Sequence, residues 1–88
     1  MFQFPQTRFV EETTPEQQRQ HILSEVMEFS EAATQYGHLS SRAIEEAFDV
    51  IQSIETYLRK YADKSYLAVA RLKVIEKNNH RGYYEELK

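Results

Sequence analysis

The chain has 88 residues, no cysteine, 28% charged side chains and a formal net charge of −3. So short a chain is one domain, residues 1–88, that buries only roughly 60 to 65% of its unfolded surface, which makes a lone monomer marginal. Lack of cysteine excludes a disulfide framework and thiolate chemistry and favours a reducing, cytoplasmic setting; lack of a basic block or of about 20 consecutive apolar residues argues against nucleic-acid and membrane partners.

The first residues, MFQFPQTRF, have no long apolar run and read as an irregular N-terminal arm containing Pro5, not as a signal peptide. Thr14 followed by Pro15 places an N-cap beside a first helical residue, and a helix is expected to start there. Its apolar positions Ile22, Val26, Phe29, Ala33 and Tyr36, joined by Leu23 and Met27, recur at three- and four-residue steps until Gly37 stops it. Ser40 or Ser41 caps a second helix. There Ala43, Ala47, Val50, Ile54 and Tyr57 form one row, widened by Ile44, Phe48, Ile51 and Leu58, and the helix ends near Tyr61. Asp63 or Ser65 starts a third helix, carried by Tyr66, Leu67, Val69, Ala70, Val74 and Ile75 and weakening at Asn78 and Asn79. The tail HRGYYEELK is short and holds Gly82. No stretch alternates with period two, so the fold expected is all-α: three main helices in an oligomeric bundle.

Two of the helices carry paired carboxylates. Glu25 and Glu28 stand three apart in SEVMEFSEAA, and Glu46 and Asp49 do the same in EEAFDVIQSI, so each pair projects from adjacent turns of one face. The short connection between the helices favours antiparallel packing, in which the four groups converge. Such a cluster is strained by like-charge repulsion until a divalent cation relieves it. Oxygen ligands without cysteine, and without histidine at an E-x-x-H spacing, suit Mg²⁺, with Mn²⁺ as an alternative, and Mg²⁺ commonly serves phosphate chemistry. Glu31, Glu45 and Glu55 read as ordinary surface charges.

SEVME at 24–28, followed by EAFD at 46–49, resembles the E-E-x-x-E then E-x-x-D pattern of the MazG-like, all-α nucleoside triphosphate pyrophosphohydrolases. KNNHRGYY is similar to the Lys, Asn and Arg-Gly segment that follows the metal motif in many of them. The resemblance implies that Glu25, Glu28, Glu46 and Asp49 are the catalytic ligands of Mg²⁺, and that Lys77, Asn78 or Asn79, and Arg81 contact the triphosphate. It also implies cleavage between the α and β phosphates of an NTP or dNTP, giving a nucleoside monophosphate and pyrophosphate, in a homodimer or tetramer whose site a neighbouring subunit can complete. One departure stands out: Ser24 occupies the place where the family often has the first of two adjacent glutamates. It is the feature that would favour a non-catalytic oligomerisation or regulatory module binding nucleotide or metal without turnover.

His21, His38 and His80 form no ligand set and are assigned surface or local hydrogen-bonding roles. Phe2, Phe4, Phe9, Tyr83 and Tyr84 are candidates to stack on a nucleobase. The broad apolar arc of the second helix exceeds what three short helices can cover, which points to association with another chain.

Overall fold

The computed structural model describes residues 2–7 and 13–84. Among them are three helices and no strand: α1 (Pro15–Tyr36), α2 (Ser41–Tyr61) and α3 (Lys64–His80). Each starts on the side chain expected to cap it. The Thr14 hydroxyl accepts from the Gln17 amide while the Gln17 side chain accepts from the Thr14 N–H, a closed capping box with Pro15 in the first turn. Ser40 caps α2 through the Ala43 amide, and Asp63 caps α3 through the Ser65 amide. Gly37 ends α1 at φ 106°, a backbone conformation that glycine adopts without penalty.

The turn from Gly37 to Ser40 folds α2 back along α1. Gln18 lies opposite Ser53, Glu25 and Glu28 opposite Asp49 and Glu46, and Tyr36 opposite Arg42, so the two helices run antiparallel. Their shared seam follows the expected α2 row in part, with Ala43 buried, Ala47, Val50 and Tyr57 half-buried and Ile54 exposed. It is built from Gln18, Ala32, Ala43 and Ser53, all buried, with the half-buried Glu25 and Glu46 between them. The large apolar side chains point elsewhere: Leu23, Val26 and Met27 on α1, and Ile44, Phe48, Ile51 and Ile54 on α2, remain exposed. Small residues at one end and a Gln18 amide hydrogen bond to the Ser53 carbonyl at the other let the helices approach without a greasy interior.

The N-terminal arm is tied to α2, and Glu55 is the knot. This residue reads in the sequence as a surface charge. In the fold it is buried, and its carboxylate accepts from the backbone amides of Gln3 and Phe4 at 2.9 Å. Arg59 donates to the Phe4 carbonyl and stacks over the Phe2 ring, and Phe4 meets Phe48 edge-on at 6.1 Å. Lys60 and Tyr61 both donate to the Thr13 carbonyl, so the far end of the arm is held by the same helix.

No residue of α3 is buried, and among the described residues the substantial helix pairing is that of α1 with α2. The radius of gyration is 15.4 Å, against about 12 Å for a compact chain of this length. The solvent-accessible area of 7429 Å² exceeds by roughly 2,000 Å² that of a compact monomer of this mass. A hairpin with a polar seam and a third helix standing apart is therefore the architecture of the single chain. Among the described residues no helix is long and apolar enough to cross a membrane.

Candidate metal centre

Helical spacing and the antiparallel register bring the two carboxylate pairs together across the seam. One oxygen from each of Glu25, Glu28 and Glu46 lies within 4.8 Å of the others. Asp49 flanks this trio. It shares a cavity wall with Glu25 and acts electrostatically on it.

The seam treats Glu25 and Glu46 alike. His21 Nε2 lies 3.3 Å from Glu25 Oε1, and Arg42 Nε lies 3.6 Å from Glu46 Oε1, each basic group one turn before its glutamate. In both glutamates the second oxygen, Oε2, is buried and has no hydrogen-bond partner. A basic residue, then Glu four positions on, then an acid three further, recurs at an offset of 21 residues: His21, Glu25, Glu28 and Arg42, Glu46, Asp49. The spacing that placed these basic groups was present in the sequence, in the i,i+4 relation that pairs neighbours on a helix face. His21 thus has the local role expected of it, and Arg42 is a member of the site that reading by motif passed over.

Loss of solvent around Glu25 pushes its carboxyl above the ordinary range. Glu28 reinforces the shift, His21 opposes it, and Asp49 and Glu46 add to it. Four acidic groups therefore share one electrostatic environment, and a cation would lower the energy of all of them. The donor set is all hard oxygen, the chemistry of Mg²⁺, Mn²⁺ or Ca²⁺ and not of a thiolate-seeking ion. The two orphaned, buried Oε2 atoms face the cost of desolvation without return, and coordination would remove it. The residues fit a divalent cation.

Around this cluster lie two concavities. A cavity of about 410 Å³ opens on the side of Glu25 and Asp49, between the hairpin and the arm. On the other side, Glu28 and Glu46 line a groove with Gln35, Tyr36 and Arg42, whose guanidinium lies 6.0 Å from the Tyr36 ring centroid. Ser24 is exposed and spends its hydroxyl on the His21 carbonyl at 2.8 Å, so it contributes nothing to the centre.

The residues expected to hold phosphates are grouped, but elsewhere. Lys77 and Arg81 line a surface depression with Lys73, Glu76 and His80, all on or just after α3, and no residue of α1 or α2 takes part. Asn78 is half-buried and Asn79 exposed at the same helix end. Of the aromatic candidates, Phe2 and Phe4 are committed to Arg59 and Phe48, Tyr83 and Tyr84 are exposed, and Phe9 lies outside the described residues. Comparison with protein-family models, curated proteins and solved structures gave no match for this chain.

Proposed function

We propose that the chain is a divalent-cation-dependent nucleotide pyrophosphohydrolase, with Mg²⁺ the expected ion and Mn²⁺ its substitute, that hydrolyses NTPs or dNTPs to a nucleoside monophosphate and pyrophosphate. The observation that carries this reading is the convergence of Glu25, Glu28 and Glu46 on one seam, with Glu25 Oε2 and Glu46 Oε2 buried and unpartnered. The resemblance of SEVME and EAFD to the MazG-like motif supplies the reaction class. When bound, the cation would neutralise phosphate charge and acidify a water for attack. Glu25, Glu28 and Glu46 would present the ligating oxygens, and His21 and Arg42 hold the outer oxygens so that the carboxylates keep one orientation. Asp49, exposed beside Glu25, would complete the set, and one of these carboxylates or a nearby one would accept the proton of the attacking water.

The phosphate-gripping residues enter from a second copy in this proposal. The roughly 2,000 Å² of excess surface per chain amounts to about 4,000 Å² for two chains, within the range of obligate dimers, about 2,000 to 5,000 Å² in total. Packing Ile44, Phe48, Ile51 and Ile54 of two hairpins together gives a four-helix core, and the basic end of the free α3 can then reach the partner's carboxylates. Arg81 would take two phosphate oxygens and Lys77 one charge, with Asn78 or Asn79 beside them.

The test is product analysis. An NTP and dNTP panel incubated with Mg²⁺ is expected to yield monophosphate and pyrophosphate, and none with EDTA; diphosphate and inorganic phosphate would refute the bond assignment. The second reading, a non-catalytic module, is favoured by the position of Ser24, which leaves the centre without a further acid. No product from a folded, metal-loaded protein would establish that reading, and Ser24→Glu would then be the variant to assay.

A further inference from the structure

We infer that the polar cavity between the N-terminal arm and the hairpin seats the nucleoside half of the substrate, with Ser53, Gln18 and Gln52 as the residues that read it. This rests on the pyrophosphohydrolase reading for the identity of the ligand, and on the cavity itself for its place.

Ser53 is the observation that starts the argument. A hydroxyl on a helix commonly returns its proton to a carbonyl one turn back, and here Ser24, Thr34 and Thr56 do so, to His21, Ser30 and Gln52. Ser53 does not. It is only 5% exposed, its Oγ is buried with no hydrogen-bond partner, and it lines the cavity. A buried hydroxyl left unsatisfied is costly, and it persists where something other than the protein completes it.

Its neighbours on the wall share a chemistry. Gln18, 6% exposed, uses its amide nitrogen on the Ser53 carbonyl, which leaves its amide oxygen as an acceptor. Thr56 donates to the Gln52 carbonyl and keeps lone pairs to accept with, and Gln52 presents a whole amide. These are neutral donors and acceptors. Among the described residues of the lining the basic side chain is His21, which is paired to Glu25, and the carboxylates Glu25 and Asp49 repel anions from this side. An uncharged ligand that hydrogen-bonds along its edge suits such a wall, and a phosphate does not. Side-chain amides match base edges in this way, with a donor and an acceptor side by side.

Size and placement agree. A cavity of about 410 Å³ falls in the range that encloses small ligands, roughly 300 to 1,000 Å³. Because Glu25 and Asp49 are part of the wall, a nucleoside seated here would turn its 5′ side to the carboxylates, and the polyphosphate would then run across the seam toward Arg42. Among the described residues no Phe or Tyr lines the cavity, and hydrogen bonds discriminate between bases more sharply than stacking does.

Nucleosides without phosphate isolate this cavity from the metal chemistry. The full chain in EDTA is titrated with adenosine, guanosine, cytidine, uridine, thymidine and their other ribose or deoxyribose forms, followed by nitrogen-15 NMR of the Gln18 and Gln52 side-chain amides and the Ser53 backbone amide. Saturable shifts at these groups are expected, strongest for one base, with binding weakened roughly 3- to 10-fold in Ser53→Ala and in Gln52→Leu. Ser53→Ala removes a buried hydroxyl that has no partner, so it should fold at least as well as the parent. No shift with any nucleoside, or equal affinity in the parent and both variants, overturns the inference. Turnover with Mg²⁺ is measured on the same proteins. Turnover of triphosphates with a silent cavity would sink this inference and leave the pyrophosphohydrolase reading standing; nucleoside binding without turnover would do the reverse.

Discussion

The hairpin gathers its apolar residues into stripes, most clearly on α2, whereas the third helix spreads them around its axis, and the chain uses the two in different ways. In α1 and α2 the polar edge is turned inward, where Gln18, Glu25, Glu46 and Ser53 meet two alanines, and the apolar stripes face out. In α3 no residue is fully buried: Leu67, Ala70, Ile75 and Asn78 are half-buried, while Tyr66, Val69, Leu72 and Val74 are each more than 40% exposed. The difference teaches that the seam gathers polar and acidic groups while the single chain leaves its apolar stripes uncovered, the surface that a second copy would cover in the proposed dimer. An interior of carboxylates could not by itself hold two helices together, so the stabilising apolar contacts must come from outside the pair.

The largest effect should come from the seam. Glu46→Gln or Glu25→Gln is expected to reduce cation-dependent turnover at least about a hundredfold, since even residues behind metal ligands cost 10- to 100-fold. The same changes should raise the melting temperature of the metal-free protein by relieving repulsion. The sign with pH is fixed by the raised carboxyl of Glu25. A carboxyl raised in the fold destabilises most above its folded value, and the penalty fades as the pH drops toward the ordinary value of 4.5. The advantage of Glu25→Gln should therefore be full at pH 7.5 and shrink on acidification, and a gain that grows with falling pH would break this account.

Next come the outward stripes. Phe48 and Ile51 are 48% and 37% exposed, and in a monomer Ile51→Asp should change stability by no more than about 0.5 kcal/mol. As part of an interface it should cost 2 kcal/mol or more of association. Sedimentation of the parent and the variant separates these outcomes, and an unfolding midpoint that rises with protein concentration would confirm the second. A monomeric parent would remove the comparison altogether.

The arm offers a smaller test. Glu55→Ala leaves the Gln3 and Phe4 amides without their acceptor and is expected to cost about 1 to 3 kcal/mol in chemical denaturation. Hydrogen exchange at those two amides should accelerate, with the seam helices unaffected. The smallest effect is reserved for Asp63→Ala, which removes the cap of α3. It should fray the first turn, seen as lost exchange protection near Tyr66, without altering α1 or α2.

Much of this was legible in the sequence wherever the cause is local. Thr14 and Pro15, Gly37, Ser40 and Asp63 mark element ends through bonds made within a few residues, and the structure places the helices accordingly. The meeting of Glu25, Glu28 and Glu46 was legible too, because i,i+3 spacing and a short turn constrain it. Glu55 was not. Its partners lie some fifty residues away and are backbone amides, which carry no side-chain signature. Periodicity also named the apolar rows without saying what covers them, so Ile22, Val26, Phe29 and Ile54 read as core although the hairpin leaves them half-buried or exposed. The Ser53 hydroxyl was invisible for a related reason: an unmet hydrogen bond shows only once every neighbour is in place.

The two buried alanines have a consequence for ion choice. Ala32 lies one turn beyond Glu28, and Ala43, with no exposed surface, lies one turn before Glu46, so their methyl groups set how closely the helices approach beside the carboxylates. In the proposed metal centre that gap would act as a ruler for ionic radius. Mg²⁺ requires oxygens at about 2.0 to 2.1 Å, whereas Ca²⁺ accepts 2.3 to 2.6 Å and more ligands. Enlarging the side chain at position 43 would spread the ruler without touching a single donor, and it would register as a preference for the larger cation.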